Sequence, residues 1–80
     1  MEKEFNYDDL AKAKARKRVY DYMKEFGSIT TLQAFVDLGE TRLSARIFEL
    51  RDMGLDVRDE NIKVSNRFGE KRRVKKYWIA

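Results

Sequence analysis

Eighty residues make one domain, and a chain this short buries only about 60% of its unfolded surface, so its core is thin. With no cysteine and no histidine, disulfides, thiolate metal sites, Cys nucleophiles, the commonest general base and the commonest zinc ligand are all excluded. Lys and Arg number 18 against 14 Asp and Glu, for a net charge of +4, and no apolar run approaches the roughly 20 residues of a membrane span.

The first five residues, Met-Glu-Lys-Glu-Phe, contain no apolar leader region, so an intracellular chain is expected. Phe5, Asn6 and Leu10 stand at the N′, N-cap and N4 positions of a hydrophobic staple, with Asp8 and Asp9 in the first turn. Ala15, Val19, Met23 and Phe26 then form an apolar stripe, with Tyr22 at its edge, and Gly27 sits where a left-handed C-cap belongs. On a continuous helix Leu10 projects opposite that stripe and Lys12 falls on it. The turns before Ala15 therefore read as a basic extension reaching past the core.

After the extended link Ser28-Ile29, the pattern Thr30-x-x-Gln33 has capping-box spacing. It opens a second helix expected to turn Leu32, Phe35 and Val36 inward and to end at Asp37-Leu38-Gly39. Thr41 is placed to cap a third helix with Leu43, Ile47 and Leu50 inward, stopped by Gly54. Two short helices joined by a Gly-containing turn are a helix-turn-helix signature. Beyond Gly54 the period falls to two. Leu55-Asp56-Val57 leads into a strand, residues 61–65 alternate through Ile62 and Val64, Asn66-Arg67-Phe68-Gly69 turns, and residues 73–79 return through Val74, Tyr77, Trp78 and Ile79.

The expected fold class is α+β, a winged helix-turn-helix of three helices followed by a β-hairpin wing, with Ile29 as a candidate third strand. One domain spans 1–80. It divides into an N-terminal arm (1–9), helix one with its basic extension (10–26), the helix-turn-helix (30–54) and the wing (55–80).

The charges are not spread evenly. Residues 63–76 hold Lys63, Arg67, Lys71, Arg72, Arg73, Lys75 and Lys76 against Glu70 alone, and Lys12, Lys14, Arg16, Lys17 and Arg18 form a second acid-free cluster. Local clustering sets the field felt by a polyanion. Helix three is the candidate recognition helix. Its expected outward arc is Thr41, Arg42, Ala45, Glu49 and Asp52, flanked by Ser44 and Phe48. Arg42, near the N-terminal end, suits guanine O6 and N7, Ala45 suits a thymine methyl, and Arg46 suits a phosphate. Against this stands pairing of the arginines with Glu49 and Asp52 along the helix. In the wing, Arg67, Lys71, Arg72, Arg73 and Lys75 suit phosphates or the minor groove, although edge charges also discourage aggregation. Phe68 either wedges between bases or shields its turn, with the shield favoured. Trp78 alternates away from Tyr77 and Ile79, and either packs under helix one or marks a partner surface.

The stretches Ser28-Ile29-Thr30-Thr31-Leu32-Gln33-Ala34, Thr41-Arg42-Leu43-Ser44-Ala45-Arg46-Ile47-Phe48-Glu49-Leu50-Arg51 and Met53-Gly54-Leu55, with the closing Tyr77-Trp78-Ile79, resemble a helix-turn-helix domain family common in bacteriophage and prophage genomes. The likeness covers residues 28–80. It implies DNA binding and a phage or mobile-element origin.

The expected function is therefore a double-stranded DNA-binding regulator of transcription or site-specific recombination in the nucleoid of a bacterial cytoplasm. No catalytic activity, cofactor or metal is expected. The alternative is a winged-helix interaction module that binds a host or phage protein. Leu10, on the overhanging helix, is expected to be available to a second copy and to support a weak homodimer on DNA.

Overall fold

The computed structural model describes residues 5–80, so residues 1–4 of the expected arm, and with them most of the leader reading, lie outside the described part. Asn6 opens helix α1 (Tyr7–Ala11), where its side-chain oxygen accepts the Asp8 and Asp9 amides at 2.9 and 3.4 Å. The helix then breaks. Helix α2 (Lys14–Phe26) restarts from Ala13, which is extended (φ −116, ψ 103) and offers no side-chain cap. The single helix expected over 10–26 is thus two.

Leu10 supplies the reason. A continuous helix would hold it opposite Val19 and Met23, whereas the break folds α1 back so that Leu10 is fully buried in the same core. Burying a leucine contributes about 1.5–3 kcal/mol, enough to offset the hydrogen bonds interrupted at the break. Phe5 stacks on Tyr20 with ring centroids 5.4 Å apart, and Arg16 donates to the Asp9 carbonyl at 3.3 Å. The N-terminal region is therefore packed, not an overhang, and Leu10 is not free for a second copy.

Gly27 ends α2 in the left-handed conformation (φ +87), donating to the Met23 carbonyl at 2.9 Å. Phe26, expected inward, is 63% exposed beyond this end of the core. The chain next forms β1 (Ile29–Thr30) and, with no intervening loop, α3 (Thr31–Leu38). The capping box is complete: Gln33 N–H donates to Thr30 Oγ1 at 3.2 Å and Thr30 N–H to Gln33 Oε1 at 2.9 Å. Yet α3 turns Ala34 and Leu38 toward the core, and leaves Leu32, Phe35 and Val36 exposed, against expectation. Because β1 is pinned to the sheet and capped directly into α3, the rotation of the helix is set from its first residue. The small Ala34 permits the close approach that results.

Helix α4 (Leu43–Asp52) buries Leu43, Ile47 and Leu50 as expected. Its N-cap is Arg42 and not Thr41, and the Arg42 amide is accepted by Glu40 Oε1 at 2.8 Å. At the other end the Gly54 amide reaches the Arg51 carbonyl (3.0 Å) and the Leu55 amide the Leu50 carbonyl (3.1 Å), the paired bonds of a Schellman motif. Strands β2 (Val57–Ser65) and β3 (Lys71–Ile79) follow, and the sheet order is β1-β3-β2, antiparallel throughout. Both strands outrun expectation, taking the charged runs 58–60 and 71–72 into the ladder. Among the described residues, four helices on a three-stranded antiparallel sheet make an α+β winged helix. Among the described residues no helix is long and apolar enough to cross a membrane.

Candidate nucleic-acid interface

The helix-turn-helix consists of α3, the turn through Gly39, and α4. Around α4 the open side carries Thr41, Arg42, Ser44, Phe48, Arg51 and Asp52, while Ala45, Arg46 and Glu49 are half-buried. The expected arc is therefore displaced. A helical projection accounts only for the buried stripe, whereas α4 packs chiefly on α2 and its two flanks are covered unequally. Phe48, assigned to a flank from sequence, stands in the middle of the open side at 71% exposure. Arg46 Nε lies 3.1 Å from Glu49 Oε2 on the half-buried flank, the intrahelical pairing weighed against a phosphate contact. Arg42 stays exposed at the N-terminal end, since Glu40 engages its amide and not its guanidinium.

The wing is a nine-residue ladder, which at about 3.3 Å per residue is roughly 30 Å long. Directly paired residues share a face, and Val57, Tyr77 and Ile29 identify the face covered by the helices. That near face continues outward as Asn61↔Lys75, Lys63↔Arg73 and Ser65↔Lys71. The far face carries Arg58↔Trp78, Glu60↔Lys76, Ile62↔Val74 and Val64↔Arg72. Of the wing cations expected to bind, Lys71, Arg73 and Lys75 fall in one row on the near face. Lys63 joins them there, Arg72 is on the far face beside Glu70 (3.6 Å), and Arg67 occupies the exposed tip. Lys63, counted in the basic cluster but not assigned to the interface from sequence, is placed directly opposite Arg73 by the register.

Compared with known proteins, residues 14–80 match the model of the winged helix-turn-helix domain. The chain belongs to that family. No curated protein and no solved structure gives a match. A winged helix-turn-helix domain suggests DNA binding.

Two further features position the elements of this winged helix-turn-helix domain. Arg51, at the end of α4, donates through Nε to the Val57 carbonyl (2.9 Å) and through Nη2 to Asp59 Oδ2 (2.8 Å), bracketing α4 to the wing. This hydrogen bond holds the Asp59 carboxyl below its ordinary pKa against the opposing effect of burial, with Lys75, 3.8 Å away, adding to it. The basic cluster on helix one is largely occupied: Lys12 pairs with Asp9 at 3.3 Å and Lys17 with Asp21 at 2.6 Å, a bond that raises the Lys17 pKa, with Tyr7 contributing next. Between α2 and α3 a groove of about 530 Å³ is lined by Tyr22, Phe26, Leu38 and the acids Asp21, Glu25 and Asp37. Trp78 lies with Phe26 beside a second, smaller cleft on the far face of the sheet.

Proposed function

We propose that this chain is a sequence-specific double-stranded DNA-binding protein of phage or prophage origin, regulating transcription or site-specific recombination in the bacterial nucleoid. Helix α4 enters the major groove by its N-terminal end. There Arg42 reads a guanine, Thr41 and Ser44 contact the backbone or base edges, and Phe48 meets an apolar base edge one turn on. Ala45 and Arg46 line the more covered flank of the same groove. The near-face row Lys63, Lys71, Arg73 and Lys75 follows a phosphate strand, and Arg67 reaches the minor groove. Arg72 stands outside that row.

The observation that carries this reading is the pairing of Lys63 directly opposite Arg73. Like charges facing each other across a ladder are unfavourable for the hairpin itself. With Lys71 and Lys75 on the same face they make sense against a polyanion, where each contact releases a condensed counterion. A second reading, a module for a protein partner, is favoured by the exposed stripe Leu32, Phe35 and Val36 on α3.

Selection of bound duplexes from a random pool, followed by salt titration on the recovered site, separates the two readings. The DNA reading expects a defined motif and a steep fall of affinity with salt, at about −0.9 per phosphate contact. On that site Arg42→Ala should weaken binding by about 1–3 kcal/mol and relax preference at one position. Absence of duplex binding at low salt would leave the protein-partner reading standing.

A further inference from the structure

The tip of the wing is built to hold one residue out. Arg67-Phe68-Gly69 connects Asn66 to Glu70, whose backbones are joined by the Asn66 N–H bond to the Glu70 carbonyl at 2.9 Å. The Gly69 amide donates to the Asn66 carbonyl at 3.0 Å, and Gly69 takes the left-handed conformation (φ +78) that a three-residue hairpin loop requires. Asn66 Oδ1 accepts two more bonds, from the Phe68 amide at 2.9 Å and the Glu70 amide at 3.1 Å. The loop is thus closed by its own polar groups. Phe68 covers none of them. Its ring is 80% exposed, the highest value of any large apolar side chain among the described residues.

Such exposure stands against shielding of the turn, the favoured reading of Phe68 from sequence. The surroundings of the ring indicate what it meets instead. Arg67 precedes it, Lys71 and Arg72 begin the returning strand, and the cationic row Lys63, Lys71, Arg73 and Lys75 runs back along the near face toward the helices. An apolar point set among these cations, with Glu70 the one acid between residues 63 and 76 and 3.6 Å from Arg72, matches a base stack with its phosphate rim. Apolar side chains that enter the minor groove part a base step and kink the duplex.

We propose that Phe68 is a wedge that the wing inserts between two stacked base pairs, so that binding bends the DNA at that step. This rests on the DNA-binding reading above and adds to it a mechanical action. Because pyrimidine–purine steps unstack most easily, the wedge also imposes a sequence preference where no base edge is hydrogen-bonded.

The test uses the duplex recovered by selection, with 2-aminopurine replacing each adenine in turn and a donor–acceptor dye pair on its ends. At saturating wild-type protein, 2-aminopurine fluorescence should rise at one step and the ends should approach each other. Phe68→Ala should lose both signals while keeping the salt slope, and Phe68→Leu, still an apolar wedge, should restore them. Wild-type binding with neither signal, or full bending by Phe68→Ala, would overturn the wedge and leave DNA binding intact. No binding of the wild type to any duplex would overturn both. Phe68-dependent binding to phosphatidylglycerol vesicles, with none of these duplex signals, would reassign the tip to a membrane surface.

Discussion

At the base of the hairpin, Val57 and Tyr77 are buried in the same cluster as Leu10, Val19, Ile47 and Leu50. A few residues outward the same two strands carry Lys63 opposite Arg73 and Ser65 opposite Lys71, all exposed. The backbone ladder is continuous across both regions, so the difference lies in the side chains alone. At the base, alternation follows the demands of a core. Beyond it, near-face positions that could have carried paired opposite charges or threonines carry repelling cations. On the DNA-binding reading the base serves stability and the distal wing a partner, and that division can be tested by damaging each side separately.

The largest effect is expected from Leu10→Ala. If the fold-back of α1 places Leu10 in the one core this small domain has, its loss should cost about 2–5 kcal/mol, a large share of a typical margin of stability. Urea denaturation measures this directly. A loss within about 0.5 kcal/mol would instead mark α1 as a loosely attached segment.

The distal wing should respond in the opposite sense. Replacing Lys63, Lys71 and Arg73 with glutamine removes three near-face cations, and replacing Arg58, Arg72 and Lys76 removes three from the far face. The two variants lose equal charge, so a general electrostatic attraction would affect them alike. We expect the near-face variant to lower the magnitude of the salt slope by roughly two to three, and the far-face variant by less than about one. The near-face variant should melt no lower than wild type, because the repulsion between Lys63 and Arg73 is relieved. Equal slopes would mean that the wing does not lie on its near face against DNA.

Much of this architecture was readable from residues whose chemistry acts locally. Asn6, the Thr30–Gln33 pair, Gly27 and Gly54 each cap or stop a helix through bonds to adjacent backbone, and the Leu43, Ile47, Leu50 stripe needed only the helical period. What was missed depends on distant partners. Neither Lys12 nor Ala13 is a helix breaker, and the chain bends there because Leu10 is worth burying against Val19 and Met23. The rotation of α3 follows from the pairing of Ile29 with Tyr77, nearly fifty residues away, which no local pattern encodes. The runs 58–60 and 71–72 looked like loop because they are charged, yet a hairpin that projects from the core needs no apolar alternation. In the candidate interface, Arg42 and the wing cations were proposed from type and clustering, and the structure leaves Arg42, Arg67, Lys71, Arg72, Arg73 and Lys75 exposed. Phe48 was misplaced to a flank, and the split of the wing into two faces required the register.

The smallest effect tests the joint between the two regions. Arg51 ties α4 to the wing through the Val57 carbonyl and the Asp59 carboxylate, and only the second of these bonds depends on pH. The Asp59 pKa lies below its ordinary 3.8 because the folded state favours the carboxylate beside Arg51 and then Lys75. Its contribution is therefore fully present well above the unfolded value, and is lost as pH falls through the folded one. Asp59→Asn should melt slightly below wild type at neutral pH, and the gap should close as the pH drops below about 3.8. Added salt should narrow it too, because the pair is partly open to solvent. A gap that persists in acid would have to come from the amide itself and not from lost charge. No gap at any pH would leave the bond from Arg51 to the Val57 carbonyl as the bracket that matters between α4 and the wing.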